Sequence, residues 1–115
     1  MGINWLPLQS LEDIEIVKNR SKEVPCLIFK HSDRCHVCGI AKYRLEDDWD
    51  FGSGEIEAYF LDVLAFRPVS LQLAEIFKVH HESPQVLLIV GEECIYDASH
   101  MDITLKELRE AVSTQ

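Results

Sequence analysis

FKHSDRCHVCGIAKYRLEDDW, residues 29–49, joins a β-favouring run to a helical one through two cysteines spaced as C-x-x-C. The run that leads in, VPCLIFK at 24–30, is short, apolar and β-favouring. Beyond it, Cys38, Ala41, Leu45 and Trp49 recur at helical spacing, and Gly52 and Gly54 are expected to stop that helix. Cys35 thus stands at a helix start. There the positive end of the macrodipole and the free backbone N–H groups favour thiolate, the nucleophilic form. Arg34 and His36 flank Cys35 and would add to this effect, while Asp33 opposes them. Cys38 lies one turn further in on the same face, within reach of a mixed disulfide on Cys35, and is expected to be the less exposed. Two other readings stand beside this redox one. His31, Cys35, Cys38 and one of His80 or His81 could supply four zinc ligands, yet no second Cys/His pair has zinc-finger spacing. A purely structural disulfide is disfavoured where thiols are kept reduced.

Working outward, SLEDIEIVKNR from Ser10 to about Arg20 places Leu11, Ile14 and Val17 on one helical face, with Ser10 as N-cap. IEAYFLDVL (56–64) is aromatic and β-branched, a second strand. Pro68 suits the first turn of a helix that buries Val69, Leu73, Ile76 and Phe77. QVLLIV (85–90) and CIYDA (94–98), around Gly91-Glu92-Glu93, read as a β-hairpin. Thr104 and Glu107 form a capping box for a last helix with Leu105, Leu108 and Val112 inward. The order α-βαβα-ββα pairs the first two strands in parallel and the closing hairpin antiparallel. The expected fold class is α/β: a three-layer sandwich with a mixed four-stranded sheet and helices on both faces, over one domain spanning 1–115. That layout is similar to the thioredoxin fold.

Bulk properties narrow the function. The 115 residues are 47% apolar and 27% charged, ordinary for a globular protein able to bury a core without disulfide staples. With 20 acidic against 11 basic residues the net charge is −9, a field that repels phosphate backbones and anionic lipid. No basic segment followed by an apolar core opens the chain, so no signal peptide is expected. Gly2 does not make a myristoylation motif, because Leu6 stands where Ser or Thr is required. VLLIV (86–90), among the longest apolar runs, is far too short to span a bilayer. The expectation is a cytoplasmic protein whose four cysteines serve chemistry rather than a disulfide framework.

FKHSDRC (29–35), HHESPQVLLI (80–89) and the opening INWLPLQSLEDIE together resemble the YtxJ family, the monothiol bacilliredoxins, over nearly the whole chain. The resemblance implies a thioredoxin-like fold and thiol-disulfide exchange on mixed disulfides between proteins and bacillithiol, a cysteinyl-glucosamine-malate thiol. It makes Cys35 the active cysteine and Pro84 the proline before the third strand. By the same resemblance the Ser83–Pro84 bond is cis and faces Cys35, turning the backbone of Ser83 toward an extended substrate. Base rates alone would favour trans. One departure stands out: where the family commonly has serine, this chain has Cys38. A monothiol enzyme releases its captured thiol to an outside reductant, whereas this chain has the means to close an internal disulfide. A second comparison concerns thioredoxins, which carry a buried acid six residues before the first cysteine; here that residue is Phe29, leaving Cys38 without an obvious base.

The expected function is therefore a thiol-disulfide oxidoreductase of bacilliredoxin type. Cys35 attacks, Cys38 resolves, and Ser83, Pro84, Arg34 and His36 meet the substrate. No metal and no prosthetic cofactor is expected, with bacillithiol as thiol co-substrate and bacillithiol-modified or disulfide-bonded proteins as partners. The alternatives are a generic thioredoxin- or glutaredoxin-like reductase, and a non-enzymatic binding or zinc module. Cys26 and Cys94 read as packing residues. Lys30, His31, Lys42 and Arg44 are candidates for the malate carboxylates.

Overall fold

Strict alternation along residues 26–31 organises the molecule, because this strand is buried on both faces and serves two cores at once. The computed structural model describes residues 2–114. Its elements are β1 (Trp5–Pro7), α1 (Leu11–Arg20), β2 (Cys26–His31), α2 (His36–Asp48), β3 (Glu57–Asp62), α3 (Arg67–Phe77), β4 (Gln85–Val90), β5 (Glu93–Ser99) and α4 (Leu105–Ser113), with a short 3-10 turn at His100–Asp102. Cys26 and Ile28 of β2 join Ile14, Val17, Leu73 and Phe77 in the core beneath α1 and α3. Leu27 and Phe29 face the other way, into the core under α2 and α4 with Ala41, Leu45 and Leu108. All six residues of β2 are buried, as expected for a central strand covered on both faces.

The sheet has five strands in the order β1-β3-β2-β4-β5, not four. The additional strand is β1, in which Trp5, Leu6 and Pro7 pair in parallel with Ala58, Tyr59 and Phe60. Three residues ending in proline carry too little alternation to announce a strand, and proline is tolerated there because β1 is an edge. β2 is parallel to β3 and antiparallel to β4, and β4 is antiparallel to β5.

The details follow local chemistry. Ser10 caps α1 by accepting from the Asp13 amide at 3.1 Å, and Thr104 caps α4 by accepting from the Glu107 amide at 3.2 Å. The β4–β5 hairpin closes over two residues rather than three, since Val90 pairs with Glu93. Gly91 and Glu92 both take positive φ, +57° and +69°, the geometry a two-residue hairpin requires. α2 ends at Asp48, ahead of the glycines expected to stop it. Leu11, placed on the buried face of α1 by spacing, is instead more than half exposed, at 55%. Among the described residues no helix is long and apolar enough to cross a membrane.

Candidate active site

The end of β2 delivers the chain straight into the C-x-x-C turn. After His31 the backbone folds back, the Cys35 amide donating to the Ser32 carbonyl at 3.1 Å and the Arg34 amide to Ser32 Oγ at 3.3 Å. This places Cys35 as the N-cap of α2 in extended conformation. Its Sγ accepts from the Cys38 amide at 3.3 Å, the role an oxygen usually fills at a cap. A sulfur held there faces free helix N–H groups, which favour negative charge. Cys35 is half-buried and Cys38 fully buried, so only the first offers itself to a partner.

The loop before β4 completes the site. The Ser83–Pro84 bond is cis. Ser83 Oγ lies 3.3 Å from Cys38 Sγ, so the loop reaches the second cysteine directly. The Pro84 carbonyl accepts from the His100 amide at 3.0 Å, tying the loop to the end of β5. Burial pushes the Cys38 thiol up, as does the adjoining Cys35 sulfur. Hydrogen bonds from Ser83 and the Ser32 backbone pull it down without reversing the rise. Desolvation pushes Cys26 up to about 12 and Cys94 up to about 11, so both are inert thiols at neutral pH.

The remaining candidate residues divide cleanly. Arg34 and His36 flank Cys35 and are exposed. Among the described residues neither side chain makes a hydrogen bond to Cys35. Lys30 and His31 are buried, at 0% and 6% exposure, which removes them as carboxylate receptors for a docked thiol. Lys42 is paired with Glu46 at 2.9 Å. The zinc set does not assemble: His31 Nε2 lies 3.1 Å from Asp33 Oδ1, and His81 Nδ1 lies 3.2 Å from Lys30 Nζ. Among the described residues no three metal-binding side chains converge. A cleft of about 330 Å³ beside β1 is lined by Trp5, Leu6, Pro7, Gln9, Lys42 and Phe60, none of them from the C-x-x-C turn or the Ser83–Pro84 loop.

Two features escaped the sequence reading. Ser83 was expected to present backbone to a substrate, whereas its hydroxyl contacts Cys38. Lys30 sits in the core beneath α3, donating to the Ser70 carbonyl at 3.3 Å and facing His81. A lysine inside the apolar run CLIFKH was the available signal. Strand alternation puts it on the same face as Cys26 and Ile28.

Residues 6–108 match the family model described as monothiol bacilliredoxin BrxC. A solved structure provisionally described as an oxidoreductase with a thioredoxin fold is similar at 27% identity and TM-score 0.75, over 92% of this chain and 91% of the other. Thioredoxin from Malassezia sympodialis is 15% identical with TM-score 0.75, covering 99% and 91% of the two chains. Thioredoxin from Trypanosoma brucei brucei is 10% identical with TM-score 0.76, covering 99% and 92%. The last two likenesses establish the fold alone: a thioredoxin-like three-layer sandwich.

Proposed function

The chain belongs to the monothiol bacilliredoxin family and is a thiol-disulfide oxidoreductase; we propose that it removes bacillithiol from protein mixed disulfides through Cys35, with Cys38 as resolving thiol. The observation that carries this reading is the N-cap position of the Cys35 sulfur, accessible and held by the Cys38 amide. Cys35 Sγ attacks the bacillithiol sulfur of a modified protein. The S–S bond to Cys35 forms, the old one breaks, and the client leaves as thiol. Cys38, one turn behind, then attacks Cys35 Sγ, closing a Cys35–Cys38 disulfide and releasing bacillithiol. Arg34, His36 and the Ser83–Pro84 loop border the approach and would hold the substrate.

Proximity supports the second step. Tethered groups meet at effective concentrations in the mM range or above, which works against the low thiolate fraction of a buried thiol. The partners are thus redox partners that present a disulfide, with bacillithiol-modified proteins favoured over generic disulfides by the family.

The test is intact-protein mass spectrometry after exposure to a bacillithiol-modified protein. Wild type should accumulate the internal disulfide, Cys38→Ser should retain one bacillithiol on Cys35, and Cys35→Ser should take up none there. A stable adduct on the wild type with Cys38 free would make the enzyme monothiol. Faster reduction of insulin than of a bacillithiol-modified protein would overturn the substrate assignment in favour of a generic reductase.

A further inference from the structure

Cys38 must ionise to attack, yet it is fully buried and Phe29 stands where an acid might have helped. Among the described residues no carboxylate or imidazole is hydrogen-bonded to its sulfur. Its polar surroundings are the Ser83 hydroxyl at 3.3 Å, the Ser32 backbone and the Cys35 sulfur itself. Once Cys35 is held in a mixed disulfide, its own charge is gone. The two groups from Ser83 and Ser32 are then what faces a developing negative charge.

We infer that Ser83 is a catalytic residue of the resolving step, its hydroxyl stabilising the Cys38 thiolate by hydrogen bonding. This rests on the resolving role proposed for Cys38 and moves Ser83 from substrate contact to the chemistry. A hydroxyl suits the task because it both accepts and donates. Toward the neutral thiol, Ser83 Oγ accepts from Cys38 S–H. Toward the thiolate it rotates and donates O–H to the sulfur. Among the described residues the Ser83 hydroxyl has no other hydrogen bond to break, so this reversal leaves no other group unpaired.

The step balances without any further reactant. Cys38 gives up its proton and attacks Cys35 Sγ. The Cys35–Cys38 bond forms and the bond from Cys35 to the captured sulfur breaks. The electron pair leaves with that sulfur, which takes up a proton and departs as a thiol. One disulfide is exchanged for another.

Burial and the Cys35 sulfur raise the Cys38 thiol, whereas the Ser83 and Ser32 contacts oppose that rise. Removing the Ser83 hydroxyl should therefore slow release, not capture. A hydrogen bond to a charged group is worth about a factor of ten or more in equilibrium, equivalent to about one pH unit. The experiment follows single-turnover release of bacillithiol from the pre-formed Cys35 adduct between pH 6 and 9, in wild type, Ser83→Ala and Ser83→Thr. Capture is measured separately in the Cys38→Ser background, with Ser83 and with Ala.

The expected result is release about tenfold slower at pH 7 in Ser83→Ala, with its pH midpoint displaced upward by about one unit, recovery in Ser83→Thr, and unchanged capture. Wild-type release and midpoint in Ser83→Ala would overturn the inference, as would equal slowing of capture and release, which would return Ser83 to substrate contact. Threonine no better than alanine would also overturn it. Should the wild type release nothing, the resolving role of Cys38 fails first, and this role of Ser83 falls with it.

Discussion

Lys30 offers a sharp test of how the core is built. Its ammonium is fully buried, with the Ser70 carbonyl and His81 Nδ1 as partners and, among the described residues, no carboxylate. Desolvation pushes its pKa from 10.5 down to about 8. At ~1.36 kcal/mol per pKa unit, the fold disfavours the charged form by roughly 3 kcal/mol. The sign is opposite to that of a lysine gaining an acidic partner. Below pH 8 both folded and unfolded chains carry the proton and the cost is present in full. Between pH 8 and 10.5 the folded chain releases the proton before the unfolded one, so the cost fades, and above 10.5 it is gone. Replacing Lys30 by Met keeps the length of the side chain and removes the charge, but gives up the contacts to the Ser70 carbonyl and His81 Nδ1, at about 1–3 kcal/mol, leaving His81 Nδ1 with Ser70 Oγ at 3.3 Å. Lys30→Met should therefore be as stable as wild type at pH 7, or more stable by up to about 2 kcal/mol. It should become less stable by about 1–3 kcal/mol near pH 10.5. The assay is urea unfolding followed by the fluorescence of Trp5 and Trp49 at steps from pH 7 to 10.5, read as the difference between the proteins. Cys26, Cys94 and Tyr59, all raised by burial, erode stability in alkali. They do so in both proteins and cancel in the difference. A stability difference that stays flat across this window would refute a buried, protonated Lys30.

Other expectations follow from the same structure. At neutral pH iodoacetamide should modify Cys35 well before Cys26, Cys38 or Cys94, as peptide mapping would show; a Cys35 no faster than Cys94 contradicts the site. Thr104→Ala removes the cap that accepts from the Glu107 amide and should cost about 1 kcal/mol in urea unfolding while leaving the alkylation rate of Cys35 untouched. Leu73→Ala, at a fully buried position under α3, should cost about 2–5 kcal/mol, with a small cost indicating that the face collapses around the gap.

The acidic stretch Glu46-Asp47-Asp48-Asp50 shows what sequence spacing misses. It runs against the dipole at the end of α2, which no local rule favours. In the fold, Glu46 accepts from the Trp5 indole at 2.7 Å and from Lys42 at 2.9 Å, and Asp50 accepts from Arg109 at 2.7 Å. Burial raises the Glu46 carboxyl, but the bonds from Trp5 and Lys42 outweigh it and hold it below the usual range. Lys42 is a local partner, four residues before Glu46, but Trp5 and Arg109 come from 41 and 59 residues away in the chain, so no window of sequence contains them.

What the sequence determined by itself is whatever depends on local periodicity and local chemistry. The helices of 11–20, 36–48, 67–77 and 105–113 and the strands of the main sheet were legible because each shows its own apolar spacing, with a local start signal at the helices: Ser10, Cys35, Pro68 and Thr104. The C-x-x-C turn was legible for the same reason: strand end, cysteine cap and helix are contiguous. The tertiary structure alone decided what contacts at long range create. It made Trp5–Pro7 a strand, because pairing along the β3 edge satisfies its backbone. It buried Lys30 beneath α3, and it set the Ser83 hydroxyl 45 residues along the chain against the Cys38 sulfur. A hydrogen bond of 3.3 Å is a fact of three-dimensional distance. Spacing along a chain specifies such distances only within a helix, a strand or a turn.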